Sequence, residues 1–183
     1  NVAATKWDIQ DIKGIPQKKV TPSAADQNEI GRERGDLKKA LADKLNKNYW
    51  EKGFVMPVKG RISGHFGGQR IMNGRKMNPH QGTDIAAPEG TPVKAASNGI
   101  VRLSGGNYFY SGNTVVIDHG CGMRSYLYGL DALSVSEGQS VERGQAVGAL
   151  GEDLTMDFKL GSKSINPWLL FQTSGGLFWK ENG

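Results

Sequence analysis

Residues 91–105 read TPVKAASNGIVRLSG, a stretch in which short apolar runs are separated by proline, asparagine and glycine. Three later stretches repeat this texture: NTVVIDHG (113–120), RSYLYGL (124–130) and QSVERGQAVGALG (139–151). Valine, isoleucine and tyrosine favour strands, and turn residues every eight to twelve positions or so are typical of small sandwiches and barrels. We therefore predict a mainly β fold, a sandwich or barrel, for this part of the chain.

The first 52 residues have a different residue pattern. Residues 1–22 contain glycine and proline and are predicted to form an extended arm, which apolar side chains would pin to a neighbouring surface: Trp7, Ile9, Ile12 and Ile15. From Ser23 to about Tyr49 the pattern is helical, with Ser23 as the N-cap. The predicted organisation is an arm and helix over residues 1–52 and a β domain over residues 53–183.

The end of the chain has weaker patterning. Residues 151–167, GEDLTMDFKLGSKSINP, show little periodicity and are predicted to form a surface excursion. A last strand is predicted to follow it, over WLLFQTS (168–174).

The overall charge points away from nucleic acid. The 183 residues carry a formal charge of +5, with lysine and arginine scattered rather than arranged in a stripe. We predict no nucleic-acid partner, and a polyanionic surface such as a cell wall or an acidic membrane suits the sign of the charge equally well. No apolar run approaches the roughly 18 residues of a membrane helix, so no transmembrane segment is predicted.

His80 and Asp84 form the candidate metal site. A spacing of four residues on a strand keeps two side chains on the same face, and both groups are good zinc ligands. The same pair also fits a histidine that is hydrogen-bonded to an aspartate in a turn. The chain has only two other histidines, His65 and His119, and none after residue 119.

Four ordered blocks resemble the lysostaphin-type (LytM/M23) zinc metallopeptidase domain. They are GRISGHFGGQR (60–70), HQGTDIAAPEGTPVKAASNGIV (80–101), VVIDHGCG (115–122) and VSEGQSVERGQAVGALG (135–151). The resemblance covers roughly residues 55–172 and implies a barrel-sandwich hybrid fold with a lipoyl-like half. In this family zinc polarises a peptide carbonyl and activates water for the cleavage of peptidoglycan cross-links.

The residues of the family site carry over only in part. His80 and Asp84 match the first motif, which supplies two zinc ligands. Gly129 stands where the family has a catalytic histidine, in YLYGLDALSV. Alignment on Pro167 and Phe171 puts Trp168 and Leu170 at the positions of a His-x-His motif that gives a further ligand and a general base. His119, His65 and Arg70 are expected close to the site, as second-shell residues, and Arg70 would buttress the fold.

These losses predict a domain without catalysis. A catalytic zinc site uses three protein ligands, and removing a general base alone costs roughly 10²–10⁴ in rate. We therefore predict an inactive M23-like protein of the periplasm or cell envelope that binds peptidoglycan or regulates a partner such as a cell-wall hydrolase. No cofactor is expected, and zinc is the metal if one binds. Export implies a signal peptide outside the present sequence, which begins at Asn1.

Two other interpretations stay open at this stage. The domain could be a weak or atypical zinc endopeptidase that uses His80 and Asp84. It could also be a carrier module, because PEGTPVKAASNGIV and SEGQSVERGQAVG echo each other as the halves of such modules do. A carrier needs a lysine at the hairpin tip between the halves, and residues 104–114, SGGNYFYSGNT, contain none.

Overall fold

The computed structural model describes residues 8–43 and 45–171. Two helices lie in the N-terminal part, α1 (Gln17–Val20) and α2 (Ala24–Ala40), and a 3₁₀ helix spans Pro167–Leu170. The strands are β1 (Ile9–Ile12), β2 (Arg61–Gly64), β3 (Gln69–Met72), β4 (Arg75–Lys76), β5 (Thr83–Ala86), β6 (Pro92–Lys94), β7 (Gly99–Tyr108), β8 (Gly112–Gly120), β9 (Met123–Leu133), β10 (Ser140–Val141), β11 (Ala146–Leu160) and β12 (Lys163–Ile165). The prediction of a mainly β fold is confirmed.

The described strands form two sheets. The nine-stranded sheet has the order β10-β7-β8-β9-β11-β5-β2, with β6 and β12 also pairing with β11. Its pairs are antiparallel, and its two ends do not meet, so the sheet is open rather than a closed barrel. A three-stranded sheet, β1-β3-β4, carries the predicted N-terminal arm, because β1 pairs in parallel with β3. Trp7 of that arm lies outside the described residues.

The two faces of the large sheet bury different clusters. One face carries the main core, whose largest fully buried side chains include Phe158, Ile85, Ile117 and Leu127. On the other face a smaller cluster of Leu103, Val116 and Tyr126 packs against Leu37, Ala40 and Leu41 at the end of α2. Alternation along β8 and β9 explains the division, because successive side chains point to opposite faces. Helix α2 therefore covers the second face of the sheet.

Helix α2 begins as predicted and ends early. Ser23 caps it, since Asp26 N donates to Ser23 Oγ (3.2 Å) and Ser23 N donates to Asp26 Oδ2 (2.8 Å). The predicted end near Tyr49 is wrong, because the chain leaves the helix after Ala40. It then follows the end of β8, where Tyr49 N donates to His119 O (2.9 Å). Within the described residues, no helix has the length and apolarity needed to cross a membrane.

The predicted excursion over residues 151–167 is also wrong. Strand β11 runs without interruption to Leu160 and turns into β12. Its alternate side chains enter the main core and are fully buried: Leu154, Met156 and Phe158. The period of two is present in LTMDF but spans only five residues, between exposed polar positions. The predicted last strand is a 3₁₀ helix instead, capped where Trp168 N donates to Asn166 Oδ1 (3.1 Å), and its predicted end beyond Phe171 lies outside the described residues.

Candidate functional site

His80 and Asp84 meet at the edge of β5. Asp84 lies on the strand, and His80 lies before it in a loop tied to the Gly-rich turn, where His80 N donates to Gly68 O (2.8 Å). The His80 Nε2 atom is 3.0 Å from Asp84 Oδ1. His80 is buried, and the Asp84 side chain is only 15% exposed. The predicted pair is thus brought together as a direct hydrogen bond.

Protein donors occupy both oxygens of Asp84. Arg70 Nη2 donates to Oδ2 in an ion pair, and Thr155 Oγ1 donates to Oδ1 (2.6 Å). Burial raises the pKa of Asp84, but hydrogen bonds from His80 and Thr155 and the charges of His80 and Arg70 outweigh it. The pKa therefore lies below its ordinary value of 3.8, and Asp84 is a carboxylate fixed by its neighbours.

Strand β11 supplies the side chains beside this pair. Thr155 lies opposite Asp84 in the antiparallel register, and Asp157 lies two residues further on the same face. Asp157 is buried; its Oδ2 atom is 3.4 Å from Lys159 Nζ and accepts from Ser164 Oγ (3.3 Å). Its Oδ1 atom is buried and has no hydrogen-bond partner among the described residues. Sequence reasoning missed Thr155 and Asp157 because it placed this segment in a surface loop.

Burial controls the ionisation of Asp157. Loss of solvent raises the pKa of its carboxyl above the ordinary 3.8, although Lys159, Ser164 and His80 partly oppose the shift. The raised pKa indicates that the negative charge of Asp157 is poorly stabilised in the folded protein.

Replacing Asp157 with asparagine tests this electrostatic cost. A carboxyl whose pKa is raised by folding weakens the fold above that pKa and ceases to do so once it is protonated. The Asp157→Asn variant is expected to be more stable at pH 7 by about 1 kcal/mol, the order of one poorly satisfied buried group. Urea unfolding at pH 7 and pH 3 measures this, and the gain should vanish at pH 3. A gain of equal size at both values would contradict the ionisation argument.

Trp168 and Leu170 lie away from His80. Both are on the 3₁₀ helix and pack against the main core, with the Trp168 ring 6.2 Å from that of Phe171. The alignment that put them at the His-x-His positions is therefore corrected by the structure, in which Thr155 is the residue of the later segment that contacts Asp84. The reason is that β11 occupies the place next to β5 before the chain reaches Pro167.

Gly129 occupies a position on β9 that has no room for a side chain. Its φ is +82°, in the left-handed region that favours glycine. A Cβ atom there would collide with the carbonyl oxygen of Asp153 on β11. The backbone at this position is therefore built for glycine, and a histidine does not fit it.

The other two histidines are not at the site. His119 lies on the opposite face of the sheet, where its Nδ1 is 2.7 Å from Asn98 O and its Nε2 is 2.8 Å from Ser125 Oγ. The predicted second-shell role of His119 is thus wrong, because the alternation along β8 directs it into the main core. His65 is on the surface, with its side chain 57% exposed and Nδ1 3.4 Å from Asp8 Oδ2.

The residues present do not fit a catalytic metal. Such sites use three protein ligands. Among residues 8–43 and 45–171, no group of three histidine, cysteine, aspartate or glutamate side chains is placed to hold an ion. Arg70 and Thr155 also occupy the Asp84 oxygens that a cation would need.

Helix α2 roofs a cavity beside His80. The cavity has a volume of about 480 Å³ and reaches from His80, Arg70 and Thr155 to the facing side of the helix. Its other walls are aromatic or apolar for the most part, and they include Leu37, Leu103, Tyr108 and Tyr128. The region beside His80 is consequently a cleft between the sheet and α2.

An open β sheet with a His-x-x-x-Asp pair at the edge of one strand is the arrangement of a metallopeptidase-type β domain. The chain belongs to peptidase family M23, whose family model matches residues 78–173, just over half of its length. The carrier interpretation is thereby replaced.

Individual relatives agree with the family. Peptidoglycan DD-endopeptidase ShyA of Vibrio cholerae is 43% identical over 100 residues, which are 54% of this chain and 23% of ShyA. A peptidase M23 structure from Pseudomonas aeruginosa matches with a TM-score of 0.67 and 31% identity, covering 79% of this chain and 61% of that one. A zinc containing peptidase from Vibrio cholerae matches with a TM-score of 0.54 and 26% identity, covering 68% and 39%. The match spans about a quarter of the length of the first curated relatives.

Proposed function

We propose that this chain is a non-catalytic M23 domain of the bacterial cell envelope, which binds peptidoglycan or regulates a partner such as a cell-wall hydrolase. The observation that carries the proposal is the state of Asp84, whose two oxygens are taken by Arg70, His80 and Thr155. A carboxylate with three protein donors has little capacity left for a metal ion. Relatives named as peptidoglycan endopeptidases support the cell-wall setting.

The loss extends beyond metal binding. The resemblance places a catalytic histidine at Gly129, where the backbone excludes a side chain. The further ligand and base of the His-x-His strand correspond best to Asp157 and Thr155, since β11 is the strand that lies beside Asp84. Threonine is a poor base at neutral pH, and missing bases cost roughly 10²–10⁴ in rate each. A protein with these replacements has kept the fold and given up the reaction.

The covering helix supports a binding role. A peptidase groove must admit a polymer and water, whereas α2 lies across this face and packs on Leu103, Val116 and Tyr126. What stays accessible is a cavity of about 480 Å³, within the range of ligand pockets in general. The net charge of +5 favours association with the anionic cell wall.

Zinc content and digestion of sacculi test the proposal together. We expect the purified protein, supplied with excess zinc and then desalted, to retain well below one zinc per chain. We also expect no release of muropeptides from purified sacculi, with full-length ShyA as the positive control. Sedimentation with the sacculi measures binding.

The His80→Ala variant separates the two activities. Under the proposal it lowers the stability around His80 and leaves zinc retention and muropeptide release as low as in the parent protein. Retention of one zinc per chain together with muropeptide release, both lost in His80→Ala, would establish instead the alternative of a zinc endopeptidase.

A further inference from the structure

A second cavity continues the first along helix α2. It has a volume of about 270 Å³ and lies between α1, α2 and the β4 turn. Ile30, Arg34 and Tyr110 line both cavities. The two together form one elongated cleft, which begins at His80 and Thr155 and ends at Arg75 and Lys76, and which we call the α2 cleft.

The far end of the α2 cleft is cationic. Arg34, Arg75 and Lys76 line the second cavity, and none of the described aspartates and glutamates does. None of these three cations has an ion pair within residues 8–43 and 45–171. All three residues are exposed and line the same cavity, so an anionic ligand in that cavity would be attracted by three positive charges.

Arg75 is held in place for such a ligand. Its Nη1 atom donates to Val20 O (3.1 Å) and to Thr21 Oγ1 (3.1 Å), both just beyond or at the end of α1. A guanidinium has five N–H donors, so several stay free toward the cavity. Holding the side chain in advance lowers the entropy that a ligand must overcome to bind it.

The near end of the α2 cleft has a different character. Leu37, Leu103, Tyr108 and Tyr128 provide apolar and aromatic walls. Glu33, which also lines this end, has one carboxylate oxygen engaged by the backbone N–H of Phe109. Apolar walls followed by a basic end suit a ligand that is apolar at one end and anionic at the other.

We propose that the α2 cleft binds an extended acidic peptide, with carboxylates among Arg34, Arg75 and Lys76 and an apolar residue against Tyr108 and Tyr110. This deepens the proposed binding role and rests on it. A lone phosphate would fill only the basic end and leave the larger apolar cavity unused. A polynucleotide would need cations along its whole path, and the near end offers only Arg34 and the paired Arg70.

Binding of a synthetic peptide tests the α2 cleft. The probe is a fluorescein-labelled peptide with the sequence Ala-Tyr-Ala-Glu-Glu and a free carboxyl terminus, and its neutral match has Ala-Tyr-Ala-Gln-Gln-amide. We expect the acidic peptide to bind at least about tenfold more tightly, and raised salt to weaken it. Inorganic phosphate at the same concentration should not displace it.

Charge reversals locate the contact. The Arg34→Glu variant is expected to weaken binding of the acidic peptide by about tenfold or more. Arg32→Glu is the matched control, because Arg32 is exposed on the same helix but lines neither cavity, and it should change the affinity less than about twofold. Thermal melts confirm that all three proteins fold.

The inference would be overturned by no saturable binding, by equal affinity for the acidic and neutral peptides, or by an equal loss of affinity in the Arg32→Glu protein. Displacement by phosphate at equal concentration would also overturn it, since it would indicate a site for any small anion. Mass spectrometry of the recovered peptide keeps the two proposals apart. A cut peptide contradicts the non-catalytic function, whereas an intact but unbound peptide contradicts only the α2 cleft, provided that sacculi still bind.

Discussion

The Gly129→Ala variant is expected to unfold with a free energy lower than that of the parent protein by about 3 kcal/mol. Two effects add. The left-handed backbone, with a φ of +82°, costs a residue with a Cβ atom about 1–2 kcal/mol. The new methyl group also meets the carbonyl oxygen of Asp153, which belongs to the central strand β11 and cannot move without disturbing the ladder. Urea unfolding at pH 7 measures the difference.

Gly138 offers a matched control for that variant. It has the same φ of +82°, but a Cβ atom there would meet no atom of the part of the chain that the structure describes within 4 Å. Gly138→Ala should therefore cost only the backbone term, about 1–2 kcal/mol. Equal losses in the two variants would show that the Asp153 contact does not constrain the position.

Acid is expected to destabilise the protein by about 3 kcal/mol through His119 alone. Burial lowers the pKa of His119 to about 4, although the Asn98 carbonyl and the charge of Asp118 oppose the shift. In the unfolded chain His119 has its ordinary pKa of 6.5. Between pH 6.5 and 4 the unfolded chain therefore binds a proton that the folded state does not bind, and this favours unfolding. Stability is complete above pH 6.5 and falls as the pH drops toward 4. Urea midpoints at pH 7, 5.5 and 4 follow this loss.

His65 provides the comparison for the acid prediction. His119→Gln should flatten the dependence between pH 6.5 and 4, at the cost of a lower stability at pH 7, because a buried hydrogen-bonded group has been exchanged. His65→Gln changes an exposed side chain and should leave the urea midpoint at pH 7 unchanged. A pH dependence that survives in the His119→Gln protein would assign the acid sensitivity to other groups.

Much of the fold could be predicted because it depends on local patterns. The Gly-separated runs of Val, Ile and Tyr are strands β6–β11, and Ser23 caps a helix as its sequence indicates. The end of helix α2 was predicted wrongly, because the residues after Ala40 form backbone hydrogen bonds with the end of β8, which is far away in sequence. The prediction for residues 151–160 was wrong because their burial depends on the neighbouring strands β5 and β9, which pair with β11 on both sides.

The candidate site could be predicted only in part. The spacing of His80 and Asp84 identifies the pair from the sequence. The small number of histidines, which is also visible in the sequence, argues against a complete catalytic zinc site. Thr155 could not be found, because its hydrogen bond to Asp84 links residues that are 71 positions apart. The alternation of Leu154, Met156 and Phe158 was the available signal, and it would have placed Thr155 and Asp157 together on the opposite face.

The parallel pairing of β1 with β3 has a practical consequence for anyone who shortens the gene. Gln10 Nε2 also donates to Ser63 O (2.8 Å). The first described residues are therefore hydrogen-bonded to the strands that precede His80 in the chain. A truncated protein starting at residue 53 would lack β1, its hydrogen bonds and helix α2. The side chains of Leu103, Val116 and Tyr126 would then be exposed to solvent. Such a protein would be prone to aggregate, and its failure in an assay would reflect poor solubility rather than the properties of the intact chain.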